Sequence, residues 1–154
     1  MSPRAAWRLD ALGFEQVFDY VPGKADWSAT GLTLEGAAAG EETAGGAADP
    51  SVPTCTLADE LQQVRARVRG TEWRQCIVVN DERIVLGRLG RHALEQDDEQ
   101  SIEDAMTAGP STVRPDEPLD ELFARLERQQ LETALVTTPD GRLVGVVLNG
   151  ERGK

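Results

Sequence analysis

The sequence has few of the residues from which metal centres, disulfide scaffolds and histidine dyads are built. It contains one histidine and two cysteines in 154 residues. Two cysteines are too few for a disulfide scaffold, and Cys55 and Cys76 lie in no metal-ligand spacing. We therefore expect two reduced, buried thiols and a surface histidine, His92, that has no second histidine to work with.

Basic residues and long apolar runs are scarce as well. Sixteen Lys and Arg stand against 27 Asp and Glu, which gives a formal net charge of −11. Such a surface repels phosphate backbones, so nucleic acid is excluded as an expected partner. No stretch approaches the roughly eighteen consecutive apolar residues of a membrane helix, and residues 1–4 lack the apolar core of a signal peptide. We expect a cytoplasmic protein with no membrane partner.

The length allows one ordinary domain or two very small ones. Residues 37–50 contain Ala, Gly, Glu and Thr but no large apolar residue, which predicts a flexible linker. This linker would separate a short segment, residues 1–36, from a longer block, residues 51–154.

The short segment predicts a helix, a strand and a second helix. Ser2 and Pro3 are typical of a helix start, and Gly13 follows its last apolar residue. Phe14–Tyr20 then predicts a short buried strand, and residues 25–30 a second helix. One strand cannot form a sheet alone, so this segment must dock on a larger fold.

The longer block contains an internal repeat. Each copy predicts an extended piece, a helix, two antiparallel strands and a following helix. The copies align at a shift of 58 for Thr54 with Thr112 and for Gly87 with Gly145, and a short helix near residues 102–106 connects them. One copy has too little surface to bury alone, so we expect an α/β fold in which the two sheets pack together.

The second copy resembles a CBS domain. The resemblance rests on Thr112–Leu119, on Leu135-Val136 and on Asp140–Val147, and the first copy is similar through Cys76–Asn80 and Val85–Leu89. Residues 51–154 together resemble a tandem CBS pair, the Bateman module, with the first repeat at 51–98 and the second, with its connecting helix, at 99–154. The implied architecture is two pseudo-symmetric repeats preceded by the helix-strand-helix arm.

The resemblance also implies a function. Members of this family are mostly non-catalytic regulatory modules that bind adenosine-containing ligands in clefts between repeats, and pairs commonly dimerise. We therefore expect no catalysis, a regulatory ligand such as AMP, ADP, ATP or S-adenosylmethionine, a homodimer and a regulated partner enzyme. A ligand-free interaction or scaffold module is the alternative.

The family's ligand signature is a Gly, a Thr or Ser three residues later, and an Asp three residues further. The corresponding residues are Gly87, Gly90 and Ala93 in the first copy, and Gly145, Leu148 and Glu151 in the second. Both copies depart from the pattern, and Glu151 alone retains a carboxylate for ribose hydroxyls. The expected ligand-binding residues are the second copy's Glu151, Leu148, Gly145, Thr112, Val113 and Ala134, and the first copy's basic pair Arg91 and His92.

The short segment resembles the last third of a rhodanese domain. The matching pieces are Ser2–Ala6, Leu12–Phe14, Val17–Tyr20, Gly23-Lys24, Asp26-Trp27 and Gly31-Leu32. In that family the nucleophilic cysteine loop lies upstream of this part, whereas Cys55 and Cys76 fall in the repeat block. A sulfurtransferase-related protein that has lost its active-site cysteine is therefore a third hypothesis.

Two further groups of residues are candidates for sites. Arg65, Arg67, Arg69 and Arg74 form a basic cluster, for which a solvated helix face is favoured over a phosphate or acidic-partner patch. Trp7, Trp27 and Trp73 are far apart, which favours packing roles over a binding platform.

Overall fold

A computed structural model describes residues 2–18, 20, 21, 23, 27, 42–96 and 99–150. Within these residues the helices and strands follow in this order: α1 (Ser2–Ala11), α2 (Ala44–Ala47), β1 (Thr54–Cys55), α3 (Leu61–Arg69), β2 (Cys76–Val79), β3 (Val85–Leu89), α4 (Arg91–Glu95), α5 (Ile102–Ala105), β4 (Thr107–Ala108), β5 (Thr112–Val113), α6 (Leu119–Gln129), β6 (Thr133–Thr137) and β7 (Leu143–Leu148).

The strands form two sheets with the same internal order. In the first sheet β1 runs parallel to β2, β2 pairs antiparallel with β3, and β4 adds to the far edge. In the second sheet β5 is parallel to β6, which pairs antiparallel with β7. The predicted α/β fold with two repeats is confirmed, whereas the sequence pattern does not predict strand β4.

Each sheet packs against the helix that the apolar spacing predicts. Leu61, Val64 and Val68 are buried on one face of α3 and contact the first sheet. On α6, the buried residues Leu119, Leu122 and Leu126 contact the second sheet. In both helices apolar residues recur every three or four positions, which places them on one face of the helix.

The two repeats pack on each other through their sheets. Six buried residues from both repeats form this third cluster: Val52, Ile77, Val79, Leu135, Leu143 and Val146. The hairpin turns also bond to each other, since the amide of Val85 donates to Gly141 O at 3.0 Å and the amide of Leu143 donates to Arg83 O at 2.9 Å. The prediction that the copies pack sheet to sheet is therefore confirmed.

The linker prediction is wrong for residues 42–50. Helix α2 lies there, with Ala44 fully buried in the core of the second repeat. Asp49 pairs with β7, where its amide donates to Val146 O at 2.9 Å and its carbonyl accepts from Val146 N at 3.1 Å. Small residues give no hydrophobic signal in the sequence, yet a short helix of Ala and Gly lies close against its neighbours because its side chains are small.

Helix α5 and strand β4 have the corresponding position on the first repeat. They precede the strands of the second repeat but pack against the first. Ile102 is buried in the core of the first repeat, and Thr107 and Ala108 pair with Arg88 and Gly87 of β3. Ala44 and Ile102 are 58 residues apart, the same shift that relates Thr54 to Thr112. Each repeat is thus completed by the short helix and extended segment that precede the other repeat.

The predicted strand at Phe14–Tyr20 is wrong for the residues described there. Residues 14–18 and 20 form no strand, and the side chains of Phe14 and Phe18 are 57% and 88% exposed. A lone strand without a neighbour has no hydrogen-bonding partner, which accounts for its absence. The first predicted helix is confirmed as α1, and the second, at residues 25–30, lies outside the described residues except for position 27.

Gly87 and Gly145 permit the close approach of these preceding segments. A Cβ built on Gly145 would lie 2.7 Å from Asp49 O, and one built on Gly87 would lie 3.1 Å from Thr107 O. The obstacle at Gly145 is backbone, which cannot rotate away as the end of a flexible side chain can, whereas a Cβ on Gly87 would first meet the side chain of Met106. The two glycines therefore have a structural role in joining the repeats.

We predict that Gly145→Ala lowers the free energy of unfolding by about 1–3 kcal/mol, because the added methyl group forces the Asp49 backbone away from β7. Gly46→Ala in α2 is the matched control, since its nearest obstacle is the Thr43 side chain at 3.7 Å and its conformation is helical. It should leave stability unchanged or raise it. Urea denaturation measures the free energy of unfolding of the two variants. Equal stability of Gly145→Ala and the parent would contradict the close approach of Asp49 to Gly145.

Candidate ligand-binding site

A cavity of about 280 Å³ lies between the two repeats. Five of its lining residues precede or belong to the first repeat and one belongs to β7: Asp49, Ser51, Thr71, Glu72, Trp73 and Leu148. Trp73 and Leu148 also pack against the sheet-to-sheet cluster, so the cavity opens at the edge of the inter-repeat core.

The loop that follows α3 positions Trp73. The hydroxyl of Thr71 donates to Val68 O at 2.8 Å and accepts from Trp73 N at 3.2 Å. One hydroxyl therefore fixes both the end of the helix and the residue that carries the indole. The indole is half-buried and forms an aromatic wall of the cavity.

The backbone pairing of Asp49 with β7 places this acidic residue in the lining of the cavity. Its carboxylate accepts a hydrogen bond from Ser51 N at 2.8 Å. Glu72 adds a second carboxylate to the lining. An aromatic ring, two carboxylates and two hydroxyls can stack a planar base and accept hydrogen bonds from vicinal hydroxyls.

The structure places the predicted residues of the second repeat at several positions. Leu148 lines the cavity, and Gly145 lies beneath the Asp49 backbone. Ala134 is buried opposite Val147, and Thr112 and Val113 lie on β5, so these three residues do not line the cavity. Glu151 lies outside the described residues. The ligand-binding roles of these residues stay predictions.

Arg91 and His92 lie on α4, away from the inter-repeat cavity. Arg91 forms an ion pair with Glu95 at 3.2 Å and lines a different cavity. A ring nitrogen of the exposed His92 lies 3.1 Å from Gln96 Nε2. Their predicted role toward a ligand of the first repeat stays a prediction.

Sequence reasoning missed Asp49, Glu72 and Trp73. Asp49 falls in the segment predicted as a linker, and the sequence favours a packing role for Trp73. The 58-residue shift between the copies is a signal that could have found Asp49. It aligns residues 44–49 with residues 102–107, which contain the predicted connecting helix. Within a single sequence no signal marks Glu72.

The two cysteines lie on adjacent strands beneath α3. Cys55 and Cys76 are 3% and 0% exposed and are not joined by a disulfide. A hydrogen bond to Cys55, followed by burial, raises the pKa of the Cys76 thiol. The prediction of reduced, buried cysteines is confirmed.

The described residues contain no helix long and apolar enough to span a membrane. In the same part of the chain, no three side chains of His, Cys, Asp or Glu converge as metal ligands.

The comparisons with known proteins identify the fold. Residues 102–148 match the family model of the CBS domain. No curated protein matches the sequence. The solved structures described below match 67–70% of this chain, so the two repeats have the fold of a CBS-domain pair.

Three solved structures illustrate the similarity. CBSX2 in complex with AMP is 17% identical, with a TM-score of 0.63 over 70% of this chain and 90% of that one. The CBS domain pair of MJ0100, in complex with 5′-methylthioadenosine and S-adenosyl-L-methionine, is 16% identical, with a TM-score of 0.58 over 67% of this chain and 86% of that one. The cytosolic domain of the Mg²⁺ channel MgtE, in complex with ATP, is 21% identical, with a TM-score of 0.62 over 70% of this chain and 46% of that one. This chain therefore spans less than half of the MgtE chain.

We predict that both thiols react with a disulfide reagent more than about tenfold more slowly in the folded protein than in urea, because reaction requires local opening. The raised pKa of Cys76 means that its thiolate fraction also stays low from neutral to mildly alkaline pH. A Ser111→Cys variant supplies an exposed thiol as the positive control. Stopped-flow absorbance measures the rates, and a native cysteine that reacts as fast as the thiol introduced in this variant would contradict the assignment.

Proposed function

We propose that this protein is a non-catalytic regulatory module that binds an adenosine-containing small molecule between its two repeats. The observation that carries the proposal is the inter-repeat cavity, in which Trp73 faces a volume lined by two carboxylates. The similar structures named above were solved with AMP, ATP, 5′-methylthioadenosine and S-adenosyl-L-methionine, which supports this ligand class.

The charges of the cavity favour a ligand with little negative charge. The described lining residues include Asp49 and Glu72 but no Lys or Arg. A triphosphate would meet no basic side chain among the described lining residues, whereas the sulfonium and ammonium groups of S-adenosylmethionine suit an acidic lining. We therefore expect S-adenosylmethionine to bind more tightly than AMP, and AMP more tightly than ADP or ATP.

The size of the cavity favours one nucleoside. Its volume of about 280 Å³ lies just below the range of small-molecule sites, about 300–1,000 Å³. A nucleoside with a short substituent suits this volume better than a dinucleotide does. The indole of Trp73 would stack on the base, and Asp49 would accept hydrogen bonds from the ribose hydroxyls.

A second function, as an interaction or scaffold module, is favoured by the exposed apolar residues of the N-terminal segment. Trp7, Leu12, Phe14, Phe18 and Val21 are between 57% and 88% exposed. Exposed apolar groups of this size are typical of surfaces that bind another chain. A homodimer or a partner enzyme would cover them. The sulfurtransferase hypothesis gains nothing from the described residues, since both thiols are buried.

We predict that S-adenosylmethionine raises the thermal midpoint of the parent protein. A ligand at a hundred times its dissociation constant stabilises the folded state by about 2.7 kcal/mol, which corresponds to roughly 5–10 °C for a chain of this length. Ser51→Tyr should abolish the shift, because the ring would occupy the cavity. Ser111→Tyr, a matched change at an exposed serine that does not line this cavity, should retain it. Glu151→Ala should weaken binding and leave the midpoint of the ligand-free protein nearly unchanged, and equal affinity of this variant and the parent would remove Glu151 from the proposed site.

Differential scanning fluorimetry and calorimetric titration measure these effects with S-adenosylmethionine, AMP, ADP and ATP. An unchanged midpoint with all four compounds would overturn the proposed binding of an adenosine-containing ligand. The interaction or scaffold module would then be the favoured function. An equal shift in parent and Ser51→Tyr would place the ligand elsewhere.

We predict a homodimer, because the apolar residues that the described surface exposes can be covered by a second copy. Sedimentation velocity at micromolar concentration should then give twice the chain mass of 16.7 kDa. A monomeric mass over the whole accessible concentration range would contradict this prediction.

A further inference from the structure

We propose that a second cavity, between α3, α4 and the loop before β2, binds the phosphate or diphosphate group of a small molecule. This cavity has a volume of about 210 Å³. Four arginines line it together with an aromatic ring, two aliphatic side chains and one carboxylate: Arg65, Arg69, Arg74, Arg91, Trp73, Val68, Leu94 and Glu95.

Three separate elements bring the arginines together. Arg65 and Arg69 are four residues apart and so share one face of α3, Arg74 follows in the loop, and Arg91 comes from α4. Arg65 is 3% exposed, and its Nε donates to Ala93 O at 3.0 Å, which holds the side chain between the two helices. One of the four lining arginines is therefore buried and fixed by a hydrogen bond, whereas the others are exposed.

Arg67 shows that this convergence is not a general property of the basic cluster. It lies on the other side of α3, where its Nη2 donates to Thr54 O at 2.9 Å and lies 3.6 Å from Asp59 Oδ2. Arg67 does not line the cavity. The structure thus divides the four arginines of the sequence cluster into three that converge and one that pairs elsewhere.

The described lining of the cavity is rich in basic residues, although the chain as a whole is acidic. Four of the 16 basic residues meet here, whereas the chain carries 27 acidic residues. The lining carboxylate, Glu95, pairs with Arg91. No described carboxylate forms an ion pair with Arg69 or Arg74, and guanidinium groups so placed bind phosphate oxygens through paired N–H donors.

The apolar floor adds to this attraction. Val68 and Leu94 are buried beneath the arginines, and Trp73 forms a side wall. Apolar side chains of this kind can accommodate the organic part of a phosphate ester beside the exposed guanidinium groups. This cavity shares only Trp73 with the inter-repeat cavity, so the anion site and the proposed adenosine site can be tested separately.

Inorganic pyrophosphate is the probe, titrated into the full-length protein by calorimetry at about 0.1 M salt. We expect binding of one pyrophosphate per chain, and a loss of about tenfold in affinity for Arg69→Gln and for Arg74→Gln. Arg128→Gln is the control, because Arg128 lies on α6, donates to Ala124 O and makes the same change in net charge. It should change the affinity less than about twofold.

Several results would overturn the proposal. One is failure of the parent to bind pyrophosphate. Another is a loss of affinity in Arg128→Gln as large as in the cavity variants, which would reduce the effect to net charge. Absence of anion binding combined with an altered sedimentation mass in Arg69→Gln would make this surface an interface between copies. Urea midpoints verify that the variants fold, and titration with S-adenosylmethionine verifies that the inter-repeat cavity is unaffected in Arg69→Gln.

Discussion

The structure depends on the close passage of one backbone segment over a strand of the other repeat. Asp49 crosses β7 at Gly145, where an added Cβ would collide with the Asp49 carbonyl oxygen, and Thr107 crosses β3 beside Gly87, where an added Cβ would first meet the Met106 side chain. Helix α2 precedes the first repeat but packs into the core of the second, and helix α5 precedes the second repeat but packs into the core of the first. Neither repeat can lose this contact without exposing the apolar core of its neighbour.

The same crossing gives the molecule its candidate binding site. Asp49 lines the inter-repeat cavity because its backbone is held on β7. The two halves of the molecule follow one architectural plan but carry different side chains at equivalent positions. Leu148 lines the inter-repeat cavity, whereas Gly90 occupies the position 58 residues earlier, and the arginine cavity lies on the first repeat alone. A symmetric backbone therefore supports two chemically distinct cavities.

The sequence predicted the elements whose apolar residues are large and periodic. Helices α3 and α6 and the hairpins β2–β3 and β6–β7 were found because Leu, Val and Ile mark their buried faces. Helix α2 was missed because Ala44 is buried through its small size and gives no periodic signal. Of the candidate site, Leu148 was predicted from the repeat alignment. Glu72 and the cavity role of Trp73 depend on which loop lies beside β7, and that is a property of the packed repeats.

Trp73 forms a wall of both cavities, one acidic and one basic. A ligand that moved this side chain in one cavity would change the lining of the other. Any difference in free energy that a ligand in one cavity imposes on this side chain must therefore appear, with equal magnitude, in the affinity of the other cavity. With both proposed ligands, one aromatic residue would connect the two cavities without movement of the sheets that hold the repeats together.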